Sequence, residues 1–535
     1  MKNMNKIFLV AAVASSLVFT SCLDEVQPTS GATQEQVDAS AKATEAMLYG
    51  MPAALNFYET VTDQHYDWGY GSIMHIRDVM TEEYAVVQSN YNWYSSWCNN
   101  QYQGEGYLRT QFIWNYFWQL VQTTNKMVGQ ISADEKSDLL KGFKGAGHAF
   151  RAFAYLDLAR MYEFLPNDAT NGQVSDTVNV TNYTVPIVTE ATTEEQARNN
   201  PRVTRQAMAK FIQADLDTAE AFIPNFSRRN KTLPNLAVVY GLKARLYMWL
   251  ENYPEAEKYA RMAINESGAT PLTKDEWLST SNGFNNMSVS SWMFASGTVK
   301  EEDVVQSGIV NWTSWCSNEA EFGYAAAGPF SMVGAAFYNK ISNADFRKLS
   351  WKAPEGHPLY GKNTFIDPSW AEESLPDYAS IKFRPGQGNY EEYSVGAAVA
   401  YPLMRVEEMY FIEAEAAAQQ DPARGKALLT TFMKDYRYGS YSCKAEDKDG
   451  IIDEIFLQKR IELWGEGLSF FDYKRLNKPV TRRYTGTNFP SACRFNTTTR
   501  PAWMNFVAVQ TEANNNKAYV GWNNPDPSGK YSTTN

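Results

Sequence analysis

Residues 89–102, SNYNWYSSWCNNQY, set Tyr91, Trp93, Tyr94, Trp97 and Tyr102 among asparagine, serine and glutamine without one charge. Aromatic faces suit the C–H faces of a sugar. Side-chain amides and hydroxyls are neutral donors and acceptors that bond hydroxyl groups in either sense. Together they fit an uncharged, hydroxyl-rich ligand. A second reading competes. Trp93 and Trp97 lie four apart and Tyr94 and Trp97 three apart, so one helical turn could point them into a core. The intervening Asn, Ser and Gln favour a loop over a helix interior. On this stretch alone the two readings balance.

Other residue types offer less chemistry. Glu462 and Glu466 are four apart and, with Arg460 and Asp472, resemble paired carboxylates for acid–base work. A structural ion-pair network explains them better, and Glu407, Glu408 and Glu413 are read as a solvated or buried-paired helix face for the same reason. The four histidines, His65, His75, His148 and His357, are far apart, and neither HExxH nor CxxC occurs. The usual local metal spacings are therefore missing, and no metal, cofactor or catalytic residue is expected. Beyond Cys22, the cysteines Cys98, Cys316, Cys443 and Cys493 form no dense framework and are expected to be buried thiols.

Bulk properties narrow the classes. The 535 residues carry a net charge of −11, which argues against a nucleic-acid partner. Fifteen Trp and 32 Tyr exceed what a core alone would use, leaving some for a surface role. At the N-terminus, MKNMNK is basic and IFLVAAVASSLVF is an apolar run too short to span a bilayer. FTSC follows and resembles a bacterial lipobox, which makes Cys22 the lipidated first residue of the mature chain. Leu23, Asp24 and Glu25 resemble a signal for export to the cell surface.

The elements that must position these residues are mostly helical. Phe150, Phe153, Ala154, Leu158 and Met161 fall at helical spacing in GAGHAFRAFAYLDLARMYEFLP. NLAVVYGLKARLYMWLENYPEAEKYARMAINE reads as two helices about a turn at residues 251–254. It fits the tetratricopeptide pattern through Tyr240, Ala244, Tyr247, Ala256 and Ala263. Lys243 departs from it where leucine is usual, and Ala260 where an aromatic is usual. PLMRVEEMYFIEAEAAAQQDPARGKALLTTFMKDYR gives a third unit with an Asp-Pro turn. Between these units, residues 271–400 are rich in Asn, Ser and Gly and carry Trp292, Trp312, Trp315 and Tyr324. Loops on a rigid scaffold are where binding residues concentrate. Trp114, Trp118, Trp249 and Trp464 sit in helical patterns and are read as core.

MRVEEMYFIEAEA (404–416) and RIELWGEGLSFFDYKRL (460–476) resemble the two C-terminal signatures of the SusD/RagB family, surface glycan-binding lipoproteins of Bacteroidetes. Arg460, Glu462, Leu463, Glu466, Gly467, Asp472 and Arg475 carry the second. AGHAFRAFAYLDLARMYE resembles the family's first repeat helix. The resemblance spans nearly the whole chain. It implies a mostly α fold, with tetratricopeptide-like helix pairs forming a scaffold beside an irregular, loop-rich ligand-binding segment. The expected organisation is a lipoprotein signal peptide at 1–21, a lipidated N-terminus and tether at 22–45, a helical region at 46–270, the ligand segment at 271–400 and the signature region at 401–535.

The resemblance also implies a role without catalysis. An outer-membrane lipoprotein, facing the cell exterior, would capture an oligosaccharide or polysaccharide and pass it to a SusC-like TonB-dependent transporter. By order along the chain, the ligand-binding residues are expected to be Trp93, Tyr94, Trp97, Trp312, Trp315 and Tyr324. Two alternatives remain: a peptide-binding lipoprotein of the RagB type, and a glycoside hydrolase.

Overall fold

The computed structural model describes residues 41–534. Cys22, the signal peptide and most of the expected tether lie outside the described residues. The first helix, α1 (Ala41–Ala53), begins inside the stretch expected to be tether. The chain from Met47 onward forms one compact unit.

Eight longer helices make the scaffold: α3 (Leu108–Gln130), α4 (Asp138–Tyr162), α5 (Arg205–Phe222), α6 (Leu236–Trp249), α7 (Tyr253–Ser267), α8 (Val406–Gln420), α9 (Pro422–Tyr436) and α10 (Lys448–Glu462). Local sequence sets their ends. The side chains of Ser137, Thr204, Asn235, Asp421 and Asp447 accept the first free N–H groups of α4, α5, α6, α9 and α10. Gly268, at φ 61°, ends α7 in the left-handed conformation.

Successive helices pack in pairs: α3 on α4, α4 on α5, α6 on α7, α8 on α9, and α10 on both α8 and α9. Helix α7 also packs on α8, so the repeat stack continues across the middle segment. The Asp421–Pro422 turn falls where the sequence places it, whereas the expected turn at 251–254 is earlier and shorter, since α7 already begins at Tyr253 and holds Pro254 in its first turn. Lys243, the misfit in the repeat pattern, has a local reason. Its ammonium donates to Asp217 Oδ1 at 2.6 Å and to Glu220, tying α6 to α5 where leucine would make an apolar contact. Ala260 is fully buried, which allows the close approach of paired helices.

The middle segment is fastened by two short antiparallel ribbons. Strands β2 (Trp292–Gly297) and β4 (Ala400–Arg405) pair from Trp292↔Arg405 to Gly297↔Ala400 and close the segment at its two ends. Strands β1 (Tyr84–Val86) and β3 (Ser331–Val333) pair Ala85 with Met332 and join the segment to the chain that follows α2 (Tyr70–Val79). Trp114, Trp249 and Trp464 are buried, as their helical spacing suggests, and Trp118 packs half-buried against the same core.

The C-terminal signature is the hub of the interior. Helix α10 ends at Glu462, so Glu466 lies beyond it rather than one turn along the same helix face. Gly465 and Gly467 adopt φ 75° and 68°, which swings Glu466 back toward the cations that Glu462 meets. A Cβ on Gly467 would stand 2.7 Å from Met74 Cα on α2. Its N–H donates to both Asp78 carboxylate oxygens at 3.0 Å. Gly467→Ala therefore combines a left-handed backbone with a backbone clash and should lower the unfolding free energy by about 2–4 kcal/mol, read as a fall in the urea midpoint. An unchanged midpoint would refute the close-packing account.

Candidate ligand site

The stretch 89–102 turns out to serve both readings at once. Tyr94 and Trp97 point inward and are buried, as the helix-turn reading has it. The one-turn helix Ser95–Cys98 carries Trp97 into the core, where it meets Tyr66 edge-on at 5.2 Å. Tyr94 is held by two bonds at its hydroxyl, one from the Trp68 indole N–H at 2.7 Å and one shared with Ser72 Oγ at 2.8 Å. Tyr91, in contrast, is 55% exposed, and Trp93 is half-buried.

The same division runs through the middle segment. Asn311 caps the one-turn helix Trp312–Cys316 by accepting from Ser314 N–H. Trp312 is buried and stacks on Tyr401 at 4.6 Å. Trp315 is buried between Tyr94, edge-on at 4.8 Å, and Tyr324, stacked at 4.4 Å. The expectation that Tyr94, Trp97, Trp312 and Trp315 present open faces to a ligand is therefore corrected, and Tyr324, also buried, gives one face to Trp315 and keeps only its hydroxyl edge toward the patch. Each ring is buried among other rings, because at these positions apolar packing outweighs the polar composition of the flanking sequence.

Four side chains are brought together above this layer. His65 stacks on Trp93 with centroids 4.7 Å apart and 26° between planes. Its Nδ1 shares a short hydrogen bond with the Tyr324 hydroxyl, and their rings lie 5.7 Å apart. Tyr91 approaches Tyr324 at 6.2 Å. Burial lifts the Tyr324 phenol above its ordinary value, and a side-chain hydrogen bond from Trp93 works against that rise. Trp93 and Tyr324, two of the six expected residues, thus meet from opposite parts of the chain through His65.

His65 is held by its own loop. The buried Asp67 carboxylate accepts N–H bonds from Val61 at 2.9 Å and Thr62 at 2.5 Å, and Glu59 N–H donates to the Asp67 carbonyl at 2.8 Å. Burial raises the Asp67 carboxyl, and those backbone donors offset part of the rise. Beside Tyr91, the side chains of Gln88 and Asn90 are exposed neutral amides. The result is a small aromatic patch with a buried ring layer beneath it and exposed amides flanking Tyr91 in the chain. Sequence reasoning missed His65 as a member of this patch. The run QHYDWGY, dense in rings ahead of α2, was the available signal.

The signature carboxylates do something different. Glu462 accepts from Arg437 at 2.6 and 2.7 Å, from Arg347 at 2.9 Å and from Arg405 at 3.3 Å. Glu466 meets Lys382 at 2.7 Å and Arg405 at 2.9 Å. Glu407 pairs with Arg405, Glu408 with Arg245 and Glu413 with Arg261. Asp472 pairs with Lys459 and Arg475, and Arg460 with Glu82. This is the structural ion-pair network expected for Arg460, Glu462, Glu466 and Asp472, although Glu466 joins it from beyond α10. Among the described residues, no cluster of His, Cys, Asp or Glu could hold a metal ion, and no helix is long and apolar enough to cross a membrane.

The family model described as "Starch-binding associating with outer membrane" matches residues 35–248, and the model described as "SusD family" matches residues 255–534. The chain belongs to the SusD family. The fold agrees with solved structures at low identity. A SusD-like carbohydrate binding protein from Bacteroides vulgatus ATCC 8482 has a TM-score of 0.71 at 21% identity, covering 90% of this chain and 97% of that one. A SusD superfamily protein from Bacteroides thetaiotaomicron VPI-5482 has a TM-score of 0.66 at 16% identity, covering 90% and 99%. Another from Bacteroides vulgatus ATCC 8482 has a TM-score of 0.67 at 15% identity, covering 90% and 98%. No curated protein matches the chain. SusD-family membership accounts for the repeat stack, the fastened middle segment and the buried signature as one inherited architecture.

Proposed function

We propose that this SusD-family protein captures an oligosaccharide on the patch formed by Trp93, Tyr91, Tyr324 and His65, and does so without catalysis. The observation that carries the reading is the joining of half-exposed Trp93 and exposed Tyr91 to Tyr324, beside neutral amides. An exposed ring edge with a packed layer behind it is pre-organised, so a sugar stacking there loses little ring freedom to the bound state. Each stack contributes on the order of 0.5–1.5 kcal/mol beyond its buried area. A few stacks with amide–hydroxyl bonds reach the roughly 4 kcal/mol of millimolar binding, and more contacts move toward micromolar. The carboxylates that would suit hydrolysis are engaged by buried cations, which supports binding rather than acid–base work.

The family's starch-binding character and the similar carbohydrate binding protein from Bacteroides vulgatus support the same reading. In this reading Cys22 carries lipid, the protein sits on the outer membrane facing outward, and a SusC-like TonB-dependent transporter receives the sugar. Weak capture is then sufficient, since anchoring raises the effective concentration of the site near its partner.

Affinity electrophoresis of the folded protein through gels containing a panel of neutral polysaccharides tests the reading. Retardation by at least one polysaccharide is expected. Uniform mobility across the panel, with a peptide library retained instead, would replace the sugar by a peptide.

A further inference from the structure

We infer that Cys98 and Cys493 are the two halves of a disulfide that ties the ligand-site loop to the C-terminal segment. All four described cysteines are buried. Among the described cysteines, Cys316 and Cys443 share no sulfur–sulfur hydrogen bond with another cysteine. The Cys98 and Cys493 sulfurs, 395 residues apart in sequence, lie 2.7 Å from each other. Two thiols in such contact need only small side-chain movement to bond.

Their surroundings favour the link. The pair lies in a small apolar cluster with Ala85, Met332 and Phe489. Ala85 and Met332 are the central partners of the β1–β3 ribbon, so the sulfurs lie where three distant segments meet. Both backbones are already fixed. Arg482 donates to the Cys98 carbonyl at 2.8 Å and to the Val79 and Thr81 carbonyls at 2.9 and 2.7 Å. Cys493 N–H donates to the Pro490 carbonyl at 2.9 Å. Cys98 ends the one-turn helix that follows Trp93 and Tyr94, so a bond here anchors the stretch bearing the aromatic patch. Closing so long a loop restricts the unfolded chain strongly.

The chemistry is thiol–disulfide exchange with a disulfide-bearing oxidant, a protein or glutathione disulfide. One cysteine thiolate attacks the oxidant's disulfide, releasing one thiol and leaving a mixed disulfide. The second cysteine displaces the remaining oxidant thiol. The pair loses two electrons and two protons, and the oxidant's disulfide is reduced to two thiols. In the cell the link rests on the proposed surface location, which places the chain in an oxidising compartment.

The test reads thiols on the full chain isolated from cells. The chain is unfolded in N-ethylmaleimide without reductant, digested and mapped by mass spectrometry. Protease shaving of intact cells scores surface exposure in the same culture. The expected result is a cross-linked peptide holding Cys98 and Cys493, with Cys316 and Cys443 alkylated, and loss of that peptide in Cys98→Ser. Alkylated Cys98 and Cys493 in a chain that is shaved from the surface overturn the bridge. So does a bridge to Cys316 or Cys443. Should the chain resist shaving and its thiols be free, the location reading fails, and the reduced chain held with oxidised glutathione in urea below its unfolding midpoint decides. A 98–493 cross-link there sustains the bridge, and four alkylated thiols overturn it.

Discussion

Replacing Glu462 with alanine is expected to lower the unfolding free energy by about 3–5 kcal/mol, the range found when one partner of a buried ion pair is removed. Glu462 is fully buried and accepts from three guanidinium groups that are themselves fully buried, those of Arg347, Arg405 and Arg437. Asp345, Glu407 and Glu466 supply the remaining negative charge, and Lys382 is the fourth cation. Four carboxylates thus face four cations, and the substitution leaves one cation uncompensated in a buried interior. Urea unfolding checks the prediction, and a loss under about 1 kcal/mol, the scale of an exposed pair, would sink it. The pH dependence follows with a definite sign. Burial alone would raise the Glu462 carboxyl, but Arg437, Arg347 and Arg405 hold it well below the ordinary carboxylate range. Asp157, between Arg77 and Arg160, is likewise brought down to about 2 against the rise that burial imposes. Groups whose folded values are depressed bind fewer protons in the folded state, so their stabilisation is complete above the unfolded carboxylate value near pH 4. It is lost as pH falls toward 2. Glu462→Ala should therefore show a shallower decline over that window than the parent chain, since its share is already absent.

The legibility of this chain in its sequence follows the range of the interactions. Helix pairs were readable because their signals are local. The run from Tyr240 to Ala263 carries its own turn, and Asp421–Pro422 announces its own cap and start. The signature network was readable as a network, since Arg460, Glu462, Glu466 and Asp472 sit too densely to be unpaired in a core. Its partners Arg347, Lys382 and Arg437 were not, because two arrive from the irregular middle segment and the third from the end of α9, and no local pattern ties any of them to Glu462. The aromatic site was half readable. Composition marked the stretch 89–102 and the segment around residue 312, but it could not say which rings face out. Tyr94 and Trp97 are fixed inward by Tyr66 and Trp68, from an earlier loop whose own conformation depends on the buried Asp67, and by Ser72 in the first turn of α2. The contact of Cys98 with Cys493 was invisible for the same reason, since nothing within either local stretch refers to the other.

Trp93→Ala should abolish retardation by whichever polysaccharide slows the parent protein, while leaving its helical content and urea midpoint within the range of a surface change. Trp93 is half-buried and stacked on one face by His65, so its loss removes a platform without opening the core. The stacking term and buried area amount to about 1–2 kcal/mol, roughly a 5- to 30-fold loss of affinity. That is enough to carry weak binding below what a gel detects. Trp312→Ala should behave in the opposite way. Its ring is buried against Tyr401, Phe383 and Trp68, and truncation leaves a cavity expected to cost about 3–5 kcal/mol. The fraction that stays folded should still be retarded. The pair of substitutions therefore separates contact with ligand from support of the scaffold, which a single loss of binding could not do. If folded Trp93→Ala migrates like the parent while folded Trp312→Ala loses retardation, the ligand lies elsewhere, and the patch of Trp93, Tyr91, Tyr324 and His65 serves the fold alone.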